Sequence, residues 1–149
     1  MAVALSAIGF KQPLVTDLFS DIAADYAKEV FLEGCKDKDG KVKYRNGVPE
    51  QQTNKSSQLR KFYDELVMWF ERVHFERTPD DRKKKYEELA PFIQMLVAKV
   101  AYAEGRKNVE KTFGQLFAHV IRQISDADSL RHAKLFMEAF MGFYKAQEK

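Results

Sequence analysis

The residues whose types could do chemistry are few, and their spacing argues against catalysis. His74, His119 and His132 fall in three separate helical stretches, and no two stand in the i, i+4 relation that would let them share a zinc ion. Each reads as a structural or surface histidine. Asp126 and Asp128 bracket Ala127 where a helical pattern breaks, so they read as helix punctuation and not as an acid-base pair. Cys35 is the single cysteine: it has no disulfide partner and no second thiol for a metal site. Asp37-Lys38-Asp39-Gly40 shares the opening run of a calcium loop, but the first ligand position would be Cys35 and the twelfth Asn46 in place of Glu, which excludes calcium. The glycines are scattered and form no phosphate loop. The expectation is a protein that is not an enzyme and uses no metal or cofactor.

What remains is charge. Lys55, Arg60 and Lys61 crowd the start of a helical pattern whose apolar residues are Leu59, Phe62, Tyr63, Leu66, Phe70 and Val73. Cations there oppose the helix macrodipole, where Asp or Glu would be favoured. Free backbone N–H groups plus three cations would make a phosphate site, with Ser56 or Ser57 as N-cap. Three long side chains fanning into water would cost only a few tenths of a kcal/mol each, and physics alone weighs the two readings evenly. Residues 36–55 hold six basic against three acidic residues, so this stretch carries the whole net charge of +3. Further cations lie at Arg82 to Lys85, at Arg106-Lys107, and at Arg122, Arg131 and Lys134. Cations at a helix C-terminus are what the dipole favours, so capping is a strong competing explanation of Arg106 and Lys107. If several of these groups converge, they form a groove for a phosphate backbone held by charge and shape without reading of sequence. Most aromatics sit on apolar stripes and read as core, leaving no stacking platform for bases.

The elements that must position these cations are helices. A chain of 149 residues is one domain by the usual prior, residues 1–149, and buries about two-thirds of its unfolded surface. Hydrophobic content of 45% with 12 Phe and 6 Tyr excludes a disordered chain. The lone cysteine fits a cytoplasmic protein, and no apolar run reaches the roughly 18 residues of a membrane span. Residues 1–15 are expected to be a loosely ordered or docking N-terminus. A first helix is predicted from about Asp17 to Glu33, with Thr16 as N-cap and a stripe of Leu18, Ile22, Tyr26 and Val30. A structureless basic loop, residues 35–55, follows. The Lys55 helix ends near Glu76. Thr78-Pro79-Asp80-Asp81 opens the next, with a kink expected just before Pro91 and an end at Gly105. Two more helices run from about Asn108 to Ile124 and from Ser129 to about Lys145. Five helices with mostly short connections predict an all-α bundle with a long basic loop after the first helix.

Three blocks, taken together, carry a family resemblance: Ser56-Ser57-Gln58-Leu59-Arg60-Lys61-Phe62-Tyr63, Lys99-Val100-Ala101-Tyr102-Ala103-Glu104-Gly105-Arg106, and Phe136-Met137-Glu138-Ala139-Phe140-Met141-Gly142-Phe143-Tyr144-Lys145. In order and spacing they resemble the small subunit of the type III-A CRISPR–Cas effector, the Csm complex, over roughly residues 40–147. Residues 1–35 carry no mark of that family. The resemblance implies a helical subunit without catalytic activity, stacked in several copies as a filament beside the guide-bearing backbone and in contact with the large subunit. It also implies contact with single-stranded target RNA and guide RNA, for which Lys55, Arg60, Lys61, Arg106 and Lys107 occupy the matching positions. Exposed apolar residues such as Met68 and Met141 would then face partners.

Two other classes are open at this stage, beside a hydrolase with an unrecognised site, which would need the histidines to converge with carboxylates. A helical DNA-binding regulator would need a short helix-turn-helix with a polar recognition helix, and these helices are too long for that. The second is a helical protein-protein interaction module, its basic loop merely solvated, which salt dependence of RNA binding would distinguish.

Overall fold

Hydrophobic spacing decides which face of each helix is buried. In the computed structural model, which describes residues 4–148, Leu18, Ile22, Tyr26 and Val30 form the expected stripe and all four are buried. They lie on a π-helical turn, Leu18–Ile22, that continues into α1, Ala23–Gly34. Thr16 does not cap this segment. Ile22 N–H closes on Asp17 O at 3.2 Å, a five-residue step that widens the first turn and leaves Thr16 outside it.

The loop after α1 has more structure than its loss of periodicity predicts. Strands β1, Tyr44–Arg45, and β2, Val48–Pro49, pair antiparallel around Asn46-Gly47. Both turn residues have positive φ, 52° and 80°, the pattern of the tight hairpin turn that Asn-Gly favours. The remaining helices are α2, Ser56–His74, α3, Pro79–Gln94, α4, Leu96–Gly105, α5, Lys111–Arg122, and α6, Ala127–Gln147.

Boundaries follow the capping chemistry. Thr78 Oγ1 accepts from Asp81 N–H at 3.1 Å, with Pro79 in the first helical position, as expected. Pro91 does not break the helix before itself. Its exposed ring is tolerated, and the interruption comes at Met95, where Met95 N–H still bonds Pro91 O at 3.1 Å. Helix α6 starts at Ala127 because Asp126 and Ser129 form a capping box: Ser129 N–H donates to Asp126 Oδ1 at 2.7 Å, and Asp126 N–H donates to Ser129 Oγ at 3.0 Å.

The bundle is built on α6, which packs against α1 on one side and α2 on another, while α4 packs on α5 and α2 on α3. Phe136, Met137, Phe140 and Tyr144 of α6 are fully buried, each contributing roughly 1.5–3 kcal/mol of hydrophobic stabilisation. Aromatic rings interlock around them, with Phe113 at 5.9 Å from Phe140 and Phe140 at 5.6 Å from Tyr144.

The N-terminal segment is docked, not loose, from Leu5 onward. Ile8 and Phe10 are buried, and their carbonyls accept from His119 Nε2 at 2.8 Å and His132 Nδ1 at 3.1 Å. Met68 and Met141 are half-buried, Met141 packing on the core, so neither is the exposed apolar residue expected. That description belongs to Phe75, 82% exposed, with Phe92, Met95 and Tyr102. Among the described residues no helix is long and apolar enough to cross a membrane.

Candidate nucleic-acid interface

Each histidine is committed to a backbone carbonyl. His74 Nε2 donates to Ala127 O at 2.8 Å, and His119 and His132 hold the N-terminal segment as described. Because His132 Nδ1 carries the donated proton, its Nε2 is free to accept from Arg131 Nη2 at 3.2 Å. Asp126 is held below the usual carboxylate range, chiefly by the Ser129 N–H it accepts. Cys35 is buried, and that burial pushes its thiol up. These groups are engaged in holding the fold.

The cations are arranged around the first turn of α2. Lys55 occupies its N-cap position, in extended backbone conformation and with no side-chain cap. Ser56 and Ser57, expected as caps, lie inside the first turn instead. The acid missing from that turn comes from the far end of the chain, since Ser56 N–H donates to Glu148 Oε2 at 3.3 Å. The conflict between three cations and the helix dipole is thus partly offset from within. Among the described residues Lys55 Nζ hydrogen-bonds only Gln51 O, at 3.3 Å.

Asn54 fixes where Lys55 sits. It is fully buried with φ of 55°, a left-handed conformation that Asn tolerates better than most residues. Its Nδ2 donates to Val30 O at 2.9 Å, its Oδ1 accepts Glu110 N–H at 2.7 Å, and its N–H donates to Asn108 O at 3.3 Å. Its carbonyl accepts from Gln51 Nε2 at 2.9 Å and Tyr144 Oη at 2.5 Å. One residue therefore joins α1, the turn before α5, and the end of α6. Thr53 Oγ1 adds a bond to Glu110 Oε2 at 2.6 Å.

This junction brings together cations that are distant in sequence. Lys55 follows Asn54 and Lys107 precedes Asn108, so the Asn54–Asn108 bond sets the two lysines on neighbouring segments. Lys107 itself has φ of 62° and is exposed. Arg106 donates to Tyr102 Oη at 3.0 Å and lies 5.6 Å over that ring, which steadies its guanidinium. Lys99 Nζ of α4 reaches Glu65 Oε2 of α2 at 2.7 Å. Lys61, one turn before Glu65, shares that α4 side of α2. Arg60 faces the other way, into a groove of about 520 Å³ lined by Ser56, Ser57, Met141, Gly142 and Lys145. Its pairing with Asp64, at 3.7 Å between side chains 69% and 60% exposed, is too solvated to neutralise it.

The basic run at Arg82 to Lys85 is not part of this arrangement. It sits on α3, which follows the C-terminal end of α2, and 19 helical residues separate the two ends of α2 by about 28 Å. Lys145 and Asn54 were missed by sequence reasoning. Lys145 lies in the solvated tail of α6, and nothing in a polar loop marks one Asn as buried.

A family model described as Csm2 Type III-A matches residues 45–149. Comparison with curated proteins and with solved structures finds no match. The matched span takes in all of α2 to α6 and leaves α1 and residues 35–44, about half of the basic loop, outside it. A match over that much of the chain, on a helical bundle carrying all three resembling blocks, establishes the family: the chain belongs to Csm2 Type III-A, the small subunit of the type III-A CRISPR complex.

Proposed function

We propose that this subunit has no catalytic activity of its own and stacks with further copies as a filament in the cytoplasmic complex. In that filament Lys55, Arg60, Lys61, Arg106 and Lys107 contact the backbone of guide and target RNA. The observation that carries the reading is the Asn54–Asn108 hydrogen bond at 3.3 Å, which joins the segments bearing Lys55 and Lys107. Polyanion binding requires such convergence, and helix spacing cannot supply it across 50 residues of chain. Unneutralised, exposed cations at one end of α2 suit phosphates held by charge without base recognition. The exposed Phe75, Phe92, Met95 and Tyr102 suit contacts with neighbouring subunits.

The test is binding of a generic single-stranded RNA across a salt series, with wild type beside an Arg60/Lys61/Arg106 triple-alanine variant. The log-log slope should fall by about 2 in the variant, at about 0.7 per phosphate neutralised. The same exposed apolar residues favour a second reading, a protein-protein interaction module without nucleic-acid binding. Absence of RNA binding by wild type at low salt would select it.

A further inference from the structure

The hairpin beside this site carries an aromatic residue that the fold does not use. Tyr44 is 63% exposed, and neither a hydrogen bond nor a ring contact engages it among the described residues. A single exposed ring is ordinary on a protein surface; what sets Tyr44 apart is the row of cations around it, Lys41, Lys43 and Arg45. The element is rigid for its size. Lys43 N–H bonds Cys35 O at 2.8 Å, tying the start of β1 to the end of α1, while Glu50 N–H on Lys43 O at 2.7 Å closes the hairpin and Asp37 N–H on Lys41 O at 2.7 Å closes the turn before it. Tyr44 pairs across the ladder with Pro49, which backs it.

Alternation along the extended segment then sorts its charges. Lys41, Lys43 and Arg45 fall on one face at intervals of about 6.7 Å, the spacing of alternate strand residues, and Tyr44 falls on the other. That interval is close to the separation of successive phosphates on an extended single strand. Lys41 and Lys43 form no ion pair among the described residues. Arg45 meets Glu50 at 3.4 Å but remains 77% exposed, too solvated for the pair to hold it. The hairpin leads through Thr53 and Asn54 to Lys55 at the start of α2. Lys41, Lys43 and Tyr44 precede residue 45, where the family match begins.

We propose that this hairpin is a second single-stranded RNA contact, with Lys41, Lys43 and Arg45 engaging phosphates and Tyr44 stacking on an unpaired base. It rests on the RNA-contacting reading above and adds to it a preference for single strands, since a base held in a duplex offers no face to stack on.

The experiment uses the full chain and fluorescence anisotropy with a labelled single-stranded RNA and the matched RNA duplex. Tyr44→Ala should weaken single-strand binding about tenfold with an unchanged salt slope, while leaving duplex binding alone and Tm unmoved. Tyr44→Phe should bind as wild type, because the ring and not the hydroxyl is used. Lys41/Lys43/Arg45→Gln should lower the slope by about 2. If both hairpin variants bind like wild type while Arg60/Lys61/Arg106→Ala does not, the hairpin is merely solvated and only the α2 site stands. If the hairpin variants lose binding and the α2 variant does not, the hairpin stands and the α2 assignment falls. Wild type that binds no RNA overturns both.

Discussion

Replacing Asn54 by alanine should destabilise the protein by about 3–5 kcal/mol, near the top of what a single polar residue does. The side chain is fully buried and makes two bonds, donating to Val30 O at 2.9 Å and accepting Glu110 N–H at 2.7 Å. Leaving a buried polar group without its partner costs about 1–3 kcal/mol each. Alanine must also adopt the φ of 55°, at about 1 kcal/mol beyond what asparagine or glycine tolerates. Asn54→Gly loses the same two bonds without the conformational strain, so it should be about 1 kcal/mol more stable than Asn54→Ala. Urea unfolding followed by circular dichroism measures both. The alanine variant should also melt roughly 10 °C below wild type, at about 2–4 °C per kcal/mol for a chain of this size. Loss of less than about 1 kcal/mol in Asn54→Ala, or a glycine variant no better than alanine, would refute the claim that Asn54 is the junction of these three segments.

Three further outcomes follow from the structure. Gly34→Ala should cost about 1–3 kcal/mol by overpacking, because a Cβ there would stand 2.5 Å from Thr53 O and 2.9 Å from Asn54 Cβ; thermal unfolding reads it. Arg60→Ala with Lys61→Ala should leave Tm within the spread of about 0.5 kcal/mol expected of exposed sites, or raise it slightly, since both charges oppose the dipole of α2. Asp126 has its folded pKa depressed, so its contribution is present above the ordinary carboxylate pKa of about 4 and is lost as pH falls through the lower folded value. The stability advantage of wild type over Asp126→Asn should therefore be full at neutral pH and vanish in strong acid, as denaturant midpoints across pH would show.

The helices were legible because each has one apolar stripe: Leu18, Ile22, Tyr26 and Val30 on the first and Phe136, Met137, Phe140 and Tyr144 on the last are buried as their spacing requires. The Thr78-Pro79 start was equally plain, because Thr side chain and Pro ring act within one turn. The hairpin was also written in the sequence, as Asn46-Gly47 between Tyr44-Arg45 and Val48-Pro49, but strands of two residues are too short for alternation to register. Caps were harder. The start of α2 depends on Glu148, 92 residues away, and no local pattern shows that. For the same reason the convergence of Lys55 with Lys107 was not readable: it follows from Asn54, whose four polar groups find partners on segments that meet only after folding.

The measurement that bears most directly on the RNA-contacting role is the salt slope of single-stranded RNA binding for wild type, Lys55→Gln, Lys107→Gln and the double variant. If both lysines hold phosphates of one strand, each single change lowers the slope by about 0.7 and the double by about 1.4, with Tm unaffected. A double variant that keeps the wild-type slope would show that the junction at Asn54 brings these charges together without RNA as their ligand.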